Sequence, residues 1–154
     1  GQWEGDPMSD EVELMLMFAS RKQHVDRLIM PHLKEGKWVV SDRFVDASYA
    51  YQWAGRGIDI AMVDQLAKWV LSGFKPGLTL LLDCPVDVAL ARIAHRGKDR
   101  IEHEQAAFFE RARNQYLAMA KAEPNRFVLI DVNRELDVIC NEVEGIIQSY
   151  IEAK

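Results

Sequence analysis

The sequence predicts an α/β fold in which helices cover both faces of a parallel sheet. Short apolar runs of strand length alternate with longer amphipathic stretches, and three of these runs end in aspartate. Strands that are apolar on both sides are typical of parallel sheets buried between helices. The 154 residues suit one domain, so we expect residues 1–154 to fold as a single domain.

The first predicted element is a long helix. Ser9 is placed to cap it, and the helical pattern continues to about Glu35. Pro31 should kink its last part, because proline has no N–H and its ring disturbs the preceding turn. The stretch Leu14–Phe18 is apolar on every face, so we expect it to be deeply buried.

Three strands and four further helices complete the predicted order. Apolar runs of five or six residues indicate the strands, and apolar residues at helical spacing indicate the helices. In chain order these are a buried strand at Lys37–Asp42, a loop with a helical turn at 43–58, a helix at Asp59–Ser72, a strand at Leu78–Asp83, a helix starting at Pro85, a helix striped by Phe108, Ala112, Tyr116 and Met119, a strand at Phe127–Asp131, and a helix from Leu136 to Tyr150.

Composition excludes several classes of partner. The charge is −5, and a net acidic domain lacks the basic face that general nucleic-acid binding needs. No apolar run is long enough to cross a bilayer, and no secretory leader is visible. Cys84 and Cys140 lack metal-ligand spacing and are expected to be buried thiols in a reducing cytoplasm. We therefore expect neither a membrane nor a nucleic acid as partner.

The ends of the predicted strands are candidate ligand sites. Ligands of open α/β sheets bind at the carboxyl ends of the strands, where Asp42, Asp83 and Asp131 lie. We expect Asp83, which precedes Cys84 and Pro85, to cap the following helix. Asp42 is followed at once by Arg43, which could grip a phosphate or carboxylate, or could form a structural ion pair.

Three further groups have the chemistry of nucleotide binding, and each has a structural alternative. Ser48 and Gln52 could read the edge of a base, or could be incidental loop residues. Phe18 and Arg21 lie one helical turn apart and could stack on a base, or could be a core ring and a surface charge. A basic cluster could cover phosphates or could be a solvated helix end; it contains Arg92, His95, Arg96, Lys98 and Arg100.

The order of these segments resembles one enzyme family. Along the chain follow M-F-A-S-R-K-Q-H, S-D-R-F-V-D-A-S-Y-A-Y-Q-W-A-G-R-G, L-T-L-L-L-D-C-P and R-G-K-D-R-I-E-H-E. From about residue 8 to the C-terminus this order resembles bacterial thymidylate kinase. The resemblance implies a P-loop NTPase-like fold, phosphorylation of dTMP to dTDP with ATP and Mg²⁺, and a homodimer.

The resemblance also implies roles for individual residues. Arg43 would hold the dTMP phosphate, and Asp42 would organise that phosphate and the magnesium shell through water. The base and sugar would be bound by Phe18, Arg21, Ser48, Tyr49, Gln52 and Arg56. A lid at about 92–104 would bring positive charge to the transferred phosphoryl group, chiefly from Arg96 and Arg100. Arg92 and Asn133 would lie on the ATP side.

The sequence departs from the family pattern in four ways. It contains neither the P-loop G-x-x-x-x-G-K-[ST] nor R-E-P-G-G, so the chain as written is expected not to transfer phosphate. The lid is one residue short, Trp53 stands where the family often has glycine, and Met17 occupies the position that often carries the stacking ring. Three strands without the central P-loop strand would flank a gap, so we expect a natural protein longer by about one βαβ unit.

Two alternative functions remain open from the sequence. One is a nucleotide-binding module without catalysis, and the other is a kinase for a related pyrimidine monophosphate.

Overall fold

The computed structural model describes residues 8–94 and 103–153, and the chain divides into two compact units, Gly1–Lys75 and Pro76–Lys154. The division into compact units does not test the expectation of a single domain, which remains a prediction. The first unit contains α1 (Asp10–His24), a π-helical turn (Val25–Ile29), α2 (Met30–Lys34), α3 (Asp46–Ser48), a π-helical segment (Tyr49–Gly55) and α4 (Ile60–Leu71). The second contains β1 (Thr79–Asp83), α5 (Val86–Ala94), α6 (His103–Ala122), β2 (Phe127–Asp131) and α7 (Leu136–Glu152).

The long first helix forms as predicted, with its irregularity in the turn before Pro31. The Ser9 side chain accepts a hydrogen bond from the backbone N–H of Val12 at 3.4 Å, which caps α1. The proline ring crowds the carbonyl four residues earlier, that of Arg27, which lies within the π-helical turn. Widening this turn relieves the crowding without ending the helix.

Deep burial of the whole stretch Leu14–Phe18 is wrong. Leu14 and Phe18 are buried, whereas Met15 and Leu16 are exposed. These five helical residues span more than one full turn, so only the side chains on one side of the helix face the core. In the first unit this core also contains Val63 and Ala67 of α4.

The predicted strand at Lys37–Asp42 is also wrong, since these residues have no regular secondary structure. A strand exists only where its backbone pairs with a neighbouring strand, and the N–H of Lys37 donates instead to the carbonyl of His32 at 3.0 Å. Val40 is 96% exposed, although its apolar surroundings in the sequence indicated burial. The following segment, predicted as a loop with one turn, is helical over Asp46–Gly55.

The other two predicted strands form a parallel pair in the second unit. β1 and β2 lie side by side, with Thr79 opposite Phe127 and Asp83 opposite Asp131. The gap expected between strands therefore does not lie between these two. The register places both aspartates at the same end of the sheet.

The thiols do not match their prediction. Cys84, directly after β1, is half-buried, and Cys140 on α7 is exposed. α7 begins within the predicted range, but in the described part of the chain it has no fully buried residue. Cys140 therefore lies on a helix whose side chains are not fully covered by the rest of the described chain.

Among the residues described, no helix is both long and apolar enough to cross a membrane.

Candidate functional site

Arg43 is held in a strained backbone conformation with its side chain at the surface. Its φ of 58° lies in the left-handed region, which side chains other than glycine rarely adopt. The Ser41 hydroxyl donates a hydrogen bond to the Arg43 carbonyl at 2.9 Å. Strained backbone conformations of this kind cluster at binding and active sites, where they fix the direction of a side chain. An exposed guanidinium can bind an oxyanion through paired hydrogen bonds.

An aromatic ring lies next to this guanidinium. The Arg43 Cζ is 5.1 Å from the centroid of the Tyr51 ring, which is a cation–π distance. Asp42 is exposed beside Arg43.

Helix α1 and the segment from α3 onward bring a second polar pair together. An Arg21 guanidinium nitrogen donates to the Ser48 hydroxyl at 2.8 Å, although 27 residues separate them. Ser48 is fully buried, and the Arg21 guanidinium lies 5.2 Å from the Phe18 ring centroid. Arg21 and Ser48, both predicted from sequence, thus share one polar site.

Gln52 lies four residues after Ser48 on the same helical stretch. Its side chain is buried, and among the described residues its Oε1 has no hydrogen-bond partner. A buried polar atom without a partner costs about 1–3 kcal/mol. Buried polar atoms are nearly always satisfied in folded proteins, so this oxygen indicates a missing donor. A ligand with an N–H group would supply one.

Tyr49 and Arg56 are engaged with neighbouring helices. The Tyr49 hydroxyl donates to Asp64 on α4 at 2.8 Å, and burial together with this hydrogen bond raises the pKa of the phenol. Arg56 binds Asp10 at 2.9 Å and Glu13 at 2.8 Å in the first turn of α1. The hydrogen bond to Glu13 is the main cause that raises the pKa of Arg56. Both residues therefore brace the segment that carries Ser48 and Gln52.

Phe18 belongs to the hydrophobic core of the first unit, with 1% of its surface exposed. A ring so fully covered has no open face for a base, whereas the neighbouring Met17 is half-buried. Trp53 packs against the same core. Base stacking by Phe18 stays a prediction.

The second unit has its own polar site at the carboxyl end of the sheet. Arg113 of α6 donates to both carboxylate oxygens of Asp83, at 2.7 and 2.9 Å. Asp83 thus forms an ion pair and not the helix cap that its position indicated. The pair borders a cavity of about 510 Å³ that Asp131 and Asn133 also line.

Sequence reasoning missed Arg113. The hydrogen bond that Arg113 donates to Asp83 raises the pKa of the Arg113 guanidinium. The two residues lie 30 positions apart, and an arginine on an amphipathic helix carries no local signal of its partner.

Two residues predicted to bind ATP lie close together in this unit. The Arg92 guanidinium donates to the carbonyl of Val132 at 2.9 Å, next to Asn133. The backbone N–H of Asn133 donates to the Asp131 carboxylate at 2.8 Å, and both Arg92 and Asn133 are exposed.

The predicted lid residues Arg96 and Arg100 lie outside the described residues, as do His95 and Lys98. Within residues 8–94 and 103–153, no three His, Cys, Asp or Glu side chains cluster as they would around a metal ion.

Comparisons with known proteins agree on one family. The thymidylate kinase family model matches residues 2–143. The thymidylate kinase of Methylococcus capsulatus is 48% identical over 151 residues, which cover 95% of this chain and 73% of the relative. That of Methylobacillus flagellatus is 49% identical over 144 residues, covering 93% and 71%. The crystal structure of thymidylate kinase from Ehrlichia chaffeensis is similar with a TM-score of 0.70 and 26% identity, over 95% of this chain and 68% of that one.

Proposed function

Because the chain belongs to the thymidylate kinase family, we infer that its function is the ATP-dependent phosphorylation of dTMP to dTDP. It is a nucleoside monophosphate kinase, and its α/β fold is that of the P-loop NTPases. In such enzymes catalysis rests on positioning and charge neutralisation, without a covalent intermediate.

The unpartnered Oε1 of Gln52 is the observation that best supports a thymine-type base. Thymine carries an N–H at ring position 3, which can donate to this buried oxygen, and carbonyls that can accept from Arg21 and Ser48. Cytosine has no hydrogen at that ring nitrogen, so it would leave the oxygen unsatisfied. The base site we propose therefore consists of Arg21, Ser48 and Gln52, with Phe18 behind Arg21.

We assign the dTMP phosphate to Arg43, because its guanidinium is exposed and its backbone is strained. Tyr49 and Arg56 brace the helical segment that carries Ser48 and Gln52, through Asp64 and the first turn of α1. The sugar would then lie along this braced segment.

On the ATP side we propose Arg92, which donates to the Val132 carbonyl, and Asn133, the next residue in the chain; both side chains are exposed. Arg96 and Arg100 are proposed to neutralise charge on the transferred phosphoryl group, as the family resemblance implies.

Mg²⁺ is proposed as the second cofactor. The ion keeps several waters when it binds proteins and needs only one or two carboxylates. Asp42 is exposed beside Arg43 and fits the role of a carboxylate that holds a magnesium-bound water. When bound, the ion would neutralise charge on the phosphates.

We further propose a homodimer through α1. Val12, Met15 and Leu16 form an exposed apolar strip along this helix, and such a strip is typical of a surface that another chain covers. We also propose that the protein is cytoplasmic and binds no nucleic acid; the net charge of −5 supports the second point, because general nucleic-acid binding needs a basic face.

The dimer proposal predicts that Leu16→Glu yields a monomer, because a carboxylate cannot be buried in an apolar interface without a partner. Sedimentation equilibrium of both proteins measures this. Wild-type chain that is monomeric at all tested concentrations would contradict the proposal.

The base site predicts opposite effects of Gln52→Leu on binding and stability. Removing the unpartnered oxygen should raise the free energy of unfolding by about 1 kcal/mol. The same change should lower dTMP affinity and largely remove discrimination between dTMP and dCMP. Urea unfolding measures the change in stability, and calorimetric titrations of dTMP, dUMP and dCMP measure the changes in affinity and discrimination.

The exposed Gln65 supplies the matched control, since Gln65→Leu should change neither property. Equal wild-type affinities for dTMP and dCMP would overturn the base assignment. Tighter binding of another pyrimidine monophosphate would favour the related-kinase alternative. Binding of dTMP without phosphate transfer, in a protein that carries this chain together with a P-loop segment, would favour a module that only binds nucleotides.

A further inference from the structure

The phosphate-binding role proposed for Arg43 demands that a flexible side chain point in one direction. Arg43 lies in a segment without regular secondary structure, so no helix or strand restrains it. An exposed arginine loses rotamer entropy when it is immobilised, and this loss opposes binding. A binding site gains affinity when this ordering occurs before the ligand arrives.

Two contacts within the protein restrain Arg43 before a ligand binds. The Ser41 hydroxyl holds the Arg43 carbonyl at 2.9 Å, which maintains the left-handed backbone. The Tyr51 ring lies 5.1 Å from the guanidinium. Tyr51 is half-buried on the helical segment Tyr49–Gly55, so its ring is carried by an ordered element.

We propose that Tyr51 is a positioning residue whose ring holds the Arg43 guanidinium in the orientation that binds the substrate phosphate. The inference rests on the proposed function, since it takes the Arg43 ligand to be the phosphate of a nucleoside monophosphate. The ring touches the guanidinium and acts on the phosphate only through it.

Binding of dTMP and of thymidine, which lacks the phosphate, separates this role from a structural one. Tyr51→Leu should raise the Kd for dTMP about 3- to 30-fold, the range expected for a lost cation–π contact. The Kd for thymidine should change less than about twofold. Tyr51→Phe keeps the ring and should keep the preference for dTMP over thymidine.

A double-mutant cycle tests the path through Arg43. In an Arg43→Ala background, Tyr51→Leu should have no further effect on dTMP binding, because the guanidinium that the ring positions is gone. Equal weakening of dTMP and thymidine by Tyr51→Leu, or an undiminished effect in the Arg43→Ala background, would overturn the inference.

One measurement needs no substitution. In the ¹H–¹⁵N spectrum of the ligand-free chain, the Tyr51 ring should shift the Nε–H signal of Arg43 upfield of the Nε–H signal of the exposed Arg27. An unshifted Arg43 signal would count against the inference.

The binding measurements distinguish failure of this inference from failure of the proposed function. A wild type that binds dTMP no more tightly than thymidine overturns the proposed phosphate site itself. A wild type that prefers dTMP, with the preference intact in Tyr51→Leu, overturns only the role of Tyr51.

Discussion

Arg43→Ala is expected to raise the Kd for dTMP about 10- to 150-fold. A hydrogen bond to a charged group contributes about 1.5–3 kcal/mol, and 1.4 kcal/mol corresponds to a factor of ten in affinity. The fold should survive, because the Arg43 side chain is exposed and belongs to no core cluster. Calorimetric titration with dTMP measures the loss, and thermal unfolding checks the fold.

Two further variants serve as controls for Arg43→Ala. The first replaces an arginine at another position, and the second places a different residue at position 43. Arg27→Ala removes another exposed arginine and should leave dTMP binding unchanged. Arg43→Gly should also lose binding, yet it should stabilise the fold by about 1 kcal/mol, because glycine adopts a φ of 58° without strain. Normal dTMP affinity in Arg43→Ala would remove this residue from the phosphate site.

Phe18→Ala is expected to lower the free energy of unfolding by about 3–5 kcal/mol. Phe18 is almost fully buried in the core of the first unit, and truncating a buried phenylalanine leaves a cavity among its neighbours. Urea unfolding followed by circular dichroism measures the change. Trp69→Ala is the matched control, because Trp69 is 81% exposed and should contribute little.

The same position separates the two interpretations of the ring. Phe18→Leu keeps an apolar side chain of similar size and should cost less than about 1.5 kcal/mol where repacking succeeds. If Phe18 is a core residue, dTMP binding in this variant stays close to wild type. A large loss of dTMP affinity with little loss of stability would show instead that the ring stacks on the base.

Helices were predictable wherever their signals are local. The Ser9 cap, the helix predicted at Asp59–Ser72 and the strand predicted at Phe127–Asp131 all occur in the structure, the helix as Ile60–Leu71 with Asp59 as its cap. Each signal depends on residues within one or two turns of each other, or within one strand.

Elements that depend on a distant partner were predicted less well. The apolar run at Lys37–Asp42 has the composition of a strand but no paired backbone in the described structure. Asp83 was expected to cap a helix, yet Arg113 occupies both of its oxygens. Neither the local composition around Asp83 nor the spacing of its neighbours indicates that Arg113, 30 residues away, binds it.

The sequence by itself determined the family and most helix positions, and it predicted the candidate site residues, because these depend on residue type and short spacing. Only the tertiary structure decided that Gln52 Oε1 is buried with no partner among the described residues, that Phe18 lies in the core, and that Arg56 contacts the first turn of α1. Burial and hydrogen-bond satisfaction belong to groups of side chains far apart in the sequence, so they exist only once the chain has folded.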